Sequence, residues 1–483
     1  MVVRRSLAFC LVGSWLTAFA ASCAKEEPPP RGMAGTGGSP DGGSGSGGDT
    51  AGRSGSGASA GSGGQGGTGA GGTGAGGGGM SGRGGGATGG SAGTGGSGGT
   101  GASAGTGGSS GSGAAGKDGG TSSDAAPSDS GGDRADSSAP GTSYVYTSGY
   151  DPRITIFTLD LATGILTAKG SLDTGVPSPS YLAFSPDRRF LYAANEASGA
   201  TSKVLAYRIA AADGALQKIN EAPAGGDGSP HLSVSPDGKW VLVAHYGSGH
   251  VATLAVDASG GVAMPPADIQ RPAMNTSHQI LTDSSGGNVF VPNVNANTVF
   301  QFRLDPANGK LTANGSVSGF PASAGPRHMA LHPSQNWAYT MNETAVTVSS
   351  LAFDRAAGTL SAPQTIDSLP SGTAKTGTGA HVVAHPGGRF VYTSNRGHNS
   401  ISIFEVDAST GRLTMRGNET GGGAIRTPRD FGVDPSGKFL LVANQDAASL
   451  MVFEISAADG TLMLRDTKTT PARPSFVGVI VLP

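Results

Sequence analysis

The chain reads Gly164-Ile-Leu-Thr167, and this pattern of a turn glycine followed by apolar residues returns about every 50 residues. The seven copies are Gly164-Ile-Leu-Thr, Gly214-Ala-Leu, Gly261-Val-Ala, Gly309-Lys-Leu-Thr, Gly358-Thr-Leu, Gly411-Arg-Leu-Thr and Gly460-Thr-Leu. Short runs typical of β-strands fill the space between copies. A period of this length, built from short strands, predicts one four-stranded sheet per repeat. We therefore predict an all-β, seven-bladed β-propeller.

The two ends of the repeat region predict how the ring closes. Second strands are expected to begin near Tyr144, Leu191, Val241, Val289, Ala338, Val391 and Leu440. First strands are expected to begin near Pro179, Pro230, Ser277, Pro326, Ala380, Pro428 and Pro474. The region thus opens on a second strand and ends on a first strand. We expect residues 477–482 to pair with residues 144–146, so that both ends share the closing blade and no sheet edge stays exposed.

The N-terminal residues have the features of a secretory signal. Arg4 and Arg5 form a positive n-region, and the apolar run 7–21 is too short for a stable membrane span. Ala20-Ala21-Ser22-Cys23 resembles a bacterial lipobox, in which the chain is cut before a cysteine that then carries lipid. We predict a lipoprotein signal peptide at 1–22 and lipidation of Cys23, with ordinary secretion as the alternative. The protein would then be exported and held at the cell envelope, on the inner or the outer membrane.

Residues 23–141 consist mainly of Gly, Ser, Ala and Thr. Such a segment has too few large apolar side chains to offset the entropy lost on ordering, so we predict a disordered tether before a propeller at 142–483. The net charge of −2 argues against a nucleic-acid partner. No second apolar segment follows, so the lipid would be the only membrane attachment. We expect a monomer.

Polar residues concentrate where first strands begin and second strands end, and a propeller brings these positions to one mouth of its channel. The strand-one positions carry His231, His278, Arg327, His328, His381, Arg429 and Asp430. The strand-two positions carry Glu196, His245, Asn293, Glu343, Arg396 and Gln445. Several arginines among histidines and glutamates predict a pocket for a small anionic or polyhydroxylated ligand, because arginine binds carboxylate and phosphate in bidentate fashion.

Structural roles are the alternative for single members of this set, since water-filled channel mouths are often polar. His332 and His385 fall at turns on the opposite face, where a local turn role is expected. Trp240 and Trp337 are expected to pack between blades. No His-x-His or Glu-x-x-His pair has ligand spacing, so we predict no metal and no cofactor.

Several segments resemble the seven-bladed propeller lactonase family, which includes propeller-type 6-phosphogluconolactonases and carboxy-cis,cis-muconate cyclases. They are Pro179-Ser-Tyr-Leu-Ala-Phe-Ser-Pro-Asp, Leu191-Tyr-Ala-Ala-Asn-Glu196, Gly325-Pro-Arg-His-Met329, Ser394-Asn-Arg-Gly-His-Asn-Ser-Ile401, Pro428-Arg-Asp-Phe-Gly-Val-Asp-Pro435 and Val442-Ala-Asn-Gln445. The resemblance covers essentially all of 142–483. It implies four catalytic residues: His278, Arg327, Glu343 and Arg396.

We expect the remaining ring residues to bind substrate: Glu196, His231, His245, His328, His381 and Arg429. The chain also departs from the family pattern. Ala380-His381-Val382 stands where an acidic residue and a histidine are usual, and Ala244-His245-Tyr246 replaces the usual Ala-Asn-Tyr. Asn293 stands where aspartate is usual. These changes alter the pocket lining and leave the substrate open.

The sequence is compatible with two main functions. The first is lactone hydrolysis of a sugar-acid or related lactone, with Glu343 or His278 as general base and Arg327 facing the oxyanion. Arg396, with Arg429, would hold the anionic arm of the substrate. The second is a non-catalytic, membrane-tethered propeller that binds a ligand, glycan or partner protein. A cyclase is a third reading.

Overall fold

A computed structural model describes residues 141–198, 202–361, 363–471 and 473–483. The predicted signal peptide, Cys23 and the predicted tether lie outside these residues. The described residues form seven antiparallel sheets and a single short 3₁₀ turn. None of the helical structure in this part of the chain is long or apolar enough to cross a membrane.

The strands are numbered in chain order. Their bounds are β1 Thr142–Gly149, β2 Arg153–Leu159, β3 Leu166–Asp173, β4 Pro179–Phe184, β5 Phe190–Asn195, β6 Lys203–Ile209, β7 Leu216–Pro223, β8 His231–Val234, β9 Trp240–Ala244, β10 Val251–Ala255, β11 Asp268–Gln270, β12 Leu281–Thr282, β13 Asn288–Asn293, β14 Thr298–Leu304, β15 Leu311–Val317, β16 Pro326–Leu331, β17 Trp337–Asn342, β18 Thr347–Asp354, β19 Thr359–Leu360, β20 Gln364–Asp367, β21 Gly377–Ala384, β22 Phe390–Gly397, β23 Ser400–Val406, β24 Leu413–Glu419, β25 Pro428–Val433, β26 Phe439–Asn444, β27 Ser449–Ile455, β28 Leu462–Thr469 and β29 Pro474–Leu482. The 3₁₀ turn spans Gly421–Gly423.

Each blade is an antiparallel meander, as predicted. Six blades use consecutive strands, from β4–β7 to β25–β28, and the blade of β16–β19 adds β20 beside β18. The remaining blade has the order β29-β1-β2-β3, so the two ends of the domain share it. Tyr144 pairs with Ile480 and Val145 with Val479, which confirms the predicted closure.

The core lies between blades. The second strands β5, β13 and β26 are buried at every position, because a neighbouring blade covers each face. Tyr192 and Val204 of one blade pack with Leu232 and Val243 of the next. The outermost strands, such as β3, face solvent along most of their length.

The repeated glycines join neighbouring blades. Each adopts a positive φ, and a Cβ there would collide with the residue that opens the second strand, or lies near its start, in the preceding blade. The pairs are Gly164 with Phe439, Gly214 with Tyr144, Gly260 with Phe190, Gly309 with Trp240, Gly358 with Asn288, Gly411 with Trp337 and Gly460 with Phe390. For the third copy the sequence prediction of Gly261 is wrong, because the turn glycine with a positive φ is Gly260.

The opposite face carries the expected structural histidines. His332 Nε2 lies 2.8 Å from the carbonyl oxygen of Gly388, and His385 Nε2 lies 2.8 Å from that of Gly437. Both therefore tie a turn to the next blade. Trp240 and Trp337 pack against glycines of the following blades, as predicted.

Candidate active site

The first strands surround the channel axis. Neighbouring first strands contact one another, for example β4 with β8, β16 with β21, β21 with β25 and β25 with β29. Polar residues gather at the mouth where these strands begin and the second strands end. They are His231, His278, Arg327, His328, His381, Arg429, Asp430, Glu196, Glu343 and Arg396.

β-Bulges explain how two adjacent residues of one strand can both serve this site. The pairing of first and second strands shifts register between Pro326 and His328, and again between Pro428 and Asp430. A bulge leaves one residue unpaired and re-aims its side chain. Arg327 and His328 can thus line the same cavity, although neighbours on a regular strand point to opposite faces.

Three imidazoles and one carboxylate form a buried row. His278 Nδ1 lies 3.1 Å from His328 Nε2, and His328 Nδ1 lies 2.6 Å from His381 Nδ1. His381 Nε2 lies 3.5 Å from Asp430 Oδ1, which is an ion-pair distance, and this oxygen accepts no hydrogen bond from the described residues. At the other end, His278 Nε2 is buried and has no hydrogen-bond partner among the described residues. The row therefore runs from a carboxylate to a vacant imidazole nitrogen.

The environment keeps the imidazoles neutral. Burial, followed by the positive charge of Arg327, lowers the pKa of His278 and His328 well below the usual value. The same two causes lower the pKa of His381 to about 3. Burial raises the pKa of Asp430 to about 7, although the Val477 N–H donates to its Oδ2 at 3.0 Å. The carboxyl is thus the group of the row that titrates near neutral pH.

Glu343 is held between two arginines. Its Oε1 accepts a hydrogen bond from Arg396 Nη2 at 2.5 Å and lies 3.7 Å from Arg327 Nε. Burial raises the pKa of Glu343, but the charges of Arg396 and Arg327 outweigh it and the pKa is lowered overall. Arg396 also donates to the carbonyl of Gly379, and Arg327 to that of Ala380. Both guanidinium groups are therefore fixed by the backbone of β21.

A second group of charged side chains surrounds Tyr150. The Tyr150 ring lies between the guanidinium groups of Arg429 and Arg473, at 5.3 Å and 4.7 Å from the ring centroid. The Tyr150 hydroxyl donates to Glu196 at 3.1 Å. Arg429 also lies 3.4 Å from Gln445 Oε1. Arg429 is thus packed against Tyr150 and also bound to Gln445.

The cavity between these groups is small. It has a volume of about 10 Å³ and is lined by Ser180, Tyr181, Glu196, Pro230, His278, Arg327, His328, Arg429 and Ser475. That is about the room one water molecule needs. A much larger cavity, of about 690 Å³, lies beside Arg188, Arg189 and the ends of the domain, and contains none of the predicted site residues. We place the site at the small cavity, because His278, Arg327 and Arg429 line it. Glu343 and Arg396 do not line it, and Glu343 reaches it through its ion pair with Arg327.

Two residues predicted at the mouth lie elsewhere, His245 and Asn293. Asn293 is buried and its Nδ2 donates to the carbonyl oxygen of Asn275. His245 is buried, its Nδ1 lies 3.2 Å from the carbonyl oxygen of His250, and its ring packs against Gly226. It occupies the position that Asn195 and Asn342 hold in other blades, where the side chain ties a loop or strand rather than reaching the mouth. The next residue, Tyr246, takes the position at the channel mouth, and its aromatic ring lies 5.5 Å from the imidazole ring of His278. Counting from the Asn position of each blade would have found Tyr246.

The structure adds Tyr181 to the site. Its ring lies 4.1 Å from that of His231 and 6.1 Å from that of His328. Burial and the nearby Asp430 raise the pKa of the Tyr181 hydroxyl, so it stays protonated. A bulge between Pro179 and Tyr181, like those beside Arg327 and Arg429, is the feature that marks this position.

His328, His381 and Asp430 each offer a ligand atom within 4.8 Å of the others. Two nitrogens bound to one tetrahedral zinc ion would lie about 3.3 Å apart. The 2.6 Å between His328 Nδ1 and His381 Nδ1 is shorter and fits a hydrogen bond. The geometry therefore fits a hydrogen-bonded row better than a metal centre.

Known proteins share this architecture. The chain is 30% identical over 297 residues to a 6-phosphogluconolactonase of Bacillus subtilis, covering 60% of this chain and 83% of that protein. It is 32% identical over 277 residues to a 6-phosphogluconolactonase of Pectobacterium carotovorum, covering 56% and 79%. The solved structure of the periplasmic gluconolactonase PpgL of Pseudomonas aeruginosa is similar, with a TM-score of 0.65, 28% identity, and coverage of 71% of this chain and 100% of that one. The family described as "Lactonase, 7-bladed beta-propeller" matches residues 144–479, and the chain belongs to this family.

Proposed function

We propose that this protein hydrolyses a sugar-acid lactone that carries a carboxylate or phosphate. Membership of the lactonase family supports lactone hydrolysis. The observation that supports this site is that His278, whose Nε2 has no hydrogen-bond partner among the described residues, lines a water-sized cavity together with Arg327 and Arg429. A water held there would face an imidazole that can accept its proton and guanidinium groups that can stabilise an oxyanion.

The contacts support a division of roles. Glu343 is a weak candidate for the base, since its pKa is lowered and its Oε1 is bound by Arg396. We assign it to hold Arg327 and Arg396 in place. His278 is then the base, Arg327 stabilises the oxyanion, and Arg396 and Arg429 bind the anionic arm. Each oxyanion donor of this kind is worth about 10²–10³ in rate.

The test is hydrolysis of a panel of aldono-lactones, with and without a phosphate or carboxylate arm, by the purified protein. Arg327→Ala with Glu343→Ala serves as the inactive reference. His385→Gln, on the opposite face, serves as a matched histidine control. We expect activity in the protein and the control, none in the reference, and a higher KM for lactones without an anionic arm. Equal rates in the protein and the reference would refute the proposal.

The alternative of a non-catalytic binding propeller is not favoured by the family membership. It makes a distinct prediction: an anionic lactone or its hydroxy acid would bind with measurable heat, and the protein would not turn it over. Calorimetry on the same panel separates the two functions.

We further propose that the protein acts at the cell envelope, attached through lipid on Cys23. The signal-like segment 1–22 and the lipobox-like Ala20-Ala21-Ser22-Cys23 support this location. The similar PpgL is described as periplasmic, which agrees with it. Labelling with radioactive palmitate tests the proposal: label should enter the protein and be absent from Cys23→Ala.

A further inference from the structure

The buried row of His278, His328, His381 and Asp430 has a carboxyl group at one end and an imidazole nitrogen without a partner among the described residues at the other. We propose that His328, His381 and Asp430 form a proton relay behind His278, which lets one imidazole serve first as base and then as acid. The inference rests on the proposed lactone hydrolysis and assigns three positioning residues to it. Its structural basis is the series of hydrogen bonds from His278 Nδ1 through His328 to His381 Nδ1, with Asp430 Oδ1 3.5 Å beyond His381 Nε2. Asp430 Oδ1 has no hydrogen-bond partner among the described residues, and the relay requires this last distance to shorten into a hydrogen bond.

Each neutral imidazole has one N–H and one acceptor nitrogen, so the row can be ordered in only two ways. With Asp430 ionised, His381 Nε2–H donates to it, His328 Nδ1–H donates to His381, and His278 Nδ1–H donates to His328. His278 Nε2 is then an acceptor. With Asp430 protonated on Oδ1, every hydrogen bond reverses and His278 Nε2 carries the proton. The Val477 N–H keeps Asp430 Oδ2 as an acceptor in both states.

A reaction cycle follows in which every proton is accounted for. His278 Nε2 takes a proton from the cavity water while the hydroxide oxygen bonds to the lactone carbonyl carbon. Protons shift along the row, and one arrives on Asp430 Oδ1. When the tetrahedral intermediate collapses, the bond from the carbonyl carbon to the ring oxygen breaks. His278 Nε2–H gives its proton to that oxygen, the row returns to its first order, and the new carboxylic acid ionises to solvent.

The relay avoids the energetic cost of a buried imidazolium at His278. An imidazolium at His278 would be buried beside Arg327, Arg429 and Arg396, and these conditions lower its pKa well below the usual value. A lone His278 would therefore be a poor base at neutral pH. The relay moves the added proton to Asp430, whose pKa is about 7. No imidazolium persists, and the row has the basicity of its carboxylate.

This balance differs from that of a Ser-His-Asp triad, in which the aspartate stays ionised and the imidazole carries the charge. Here the groups facing Asp430 are His381, Tyr181, Arg327 and Arg429, together with the backbone N–H groups of Phe431 and Val477. Burial exceeds their combined effect and raises the carboxyl pKa, while that of His381 falls to about 3. The proton is therefore more stable on the carboxylate than on the imidazoles.

The direct test uses nitrogen-15 NMR of the histidine-labelled protein without substrate. In wild type we expect His278 to be protonated on Nδ1 above pH 7 and on Nε2 below it, with one midpoint shared by His278, His328 and His381. In Asp430→Asn the amide oxygen must accept from Val477, so its NH₂ donates to His381 and fixes the reversed order. His278 should then carry its proton on Nε2 at every pH. A His278 tautomer that changes neither with pH nor in Asp430→Asn would overturn the relay.

Kinetics give the second test. Asp430→Asn should lower kcat about 10²–10⁴-fold, the usual worth of general acid–base catalysis, with little change in KM. The rise of wild-type kcat through about pH 7 should disappear with it. His385→Gln, far from the row, should keep both kcat and the pH profile. Retention of the wild-type profile in Asp430→Asn would overturn the relay.

Rescue separates a relay from a structural role. His381→Gln keeps a polar side chain at this position but offers no second nitrogen to pass a proton, and it should be nearly inactive. His381→Ala leaves a space that free imidazole can fill, and millimolar imidazole should restore part of the lost kcat. No rescue, or an active His381→Gln, would count against the relay. An inactive wild type whose tautomers still switch would refute lactone hydrolysis and leave the switching row intact.

Discussion

At the residue scale, the site holds two buried carboxyls in opposite states. Two arginines lower the pKa of Glu343, whereas burial raises that of Asp430 to about 7. The difference comes from contact: Glu343 Oε1 receives a guanidinium group directly, and Asp430 receives a backbone N–H. One carboxyl therefore serves as a fixed charge and the other as a group that exchanges protons.

The fixed charge predicts acid sensitivity. Because the folded pKa of Glu343 lies below the usual 4.5, its ion pairs stabilise the protein fully above that pH, and the gain is lost as pH falls through the folded pKa. Glu343→Gln should lower the free energy of unfolding at pH 7 by about 3 kcal/mol. It should also flatten the pH dependence below 4.5.

Urea unfolding at several pH values measures this effect. Glu405→Gln is the matched control, since Glu405 also lies between two arginines, Arg389 and Arg416, but on the exposed surface. Little change is expected there, because water and salt screen exposed ion pairs. Equal losses in the two variants would show that burial does not strengthen the Glu343 pairs.

At the element scale, the glycine that repeats along the sequence is explained by contact between blades. Each glycine carries a positive φ and fits against the start of a second strand in the preceding blade, an aromatic residue in six blades and Asn288 in the other. The contact recurs around the whole ring, from Gly214 on Tyr144 to Gly164 on Phe439. The repeat is therefore a packing device as well as a turn.

Gly214→Ala tests that device. Any alanine at positive φ costs roughly 1–2 kcal/mol, and here its Cβ would also strike the Tyr144 ring, adding about 1–3 kcal/mol of overpacking. Gly175→Ala is the matched control, because Gly175 has φ of 75° but nothing within 4 Å of a new Cβ. Thermal unfolding should show a clearly larger loss for Gly214→Ala. Equal losses would mean that the blades do not meet tightly at this glycine.

The blade architecture could be predicted from the sequence, whereas the contacts within the site could not. Strand order, blade number and closure follow from the repeat, because each blade solves one local packing problem. The sequence prediction put His245 at the mouth because a histidine stands here in place of the Asn that marks this position in other blades. A shift of one residue along a strand then moves the side chain to the other face. The row from His278 to Asp430 could not be read at all. Its members lie on four separate blades, and only packing sets their distances.

At the scale of the whole molecule, closure of the ring of blades depends on one strand, β29. β29 pairs with β1 along its length and contacts β25 and β4 on either side. Without it, β1 would present an unpaired edge and the channel would lose one wall.

Removal of residues 474–483 tests this dependence. The truncated protein should unfold at lower urea concentration, over a broader transition, and should aggregate through its open edge. A synthetic peptide of residues 474–483 should restore the sharp transition, and a scrambled peptide should not. An unaltered transition in the truncated protein would show that six complete blades suffice.

The hydrogen bond from the Val477 N–H to Asp430 joins the closing blade to the candidate site. The strand that donates it, β29, also brings Ser475 to the cavity wall. Molecules cleaved before β29 would lack the partner that holds Asp430 in place. A single proteolytic cut at this point would therefore abolish ring closure and catalysis together.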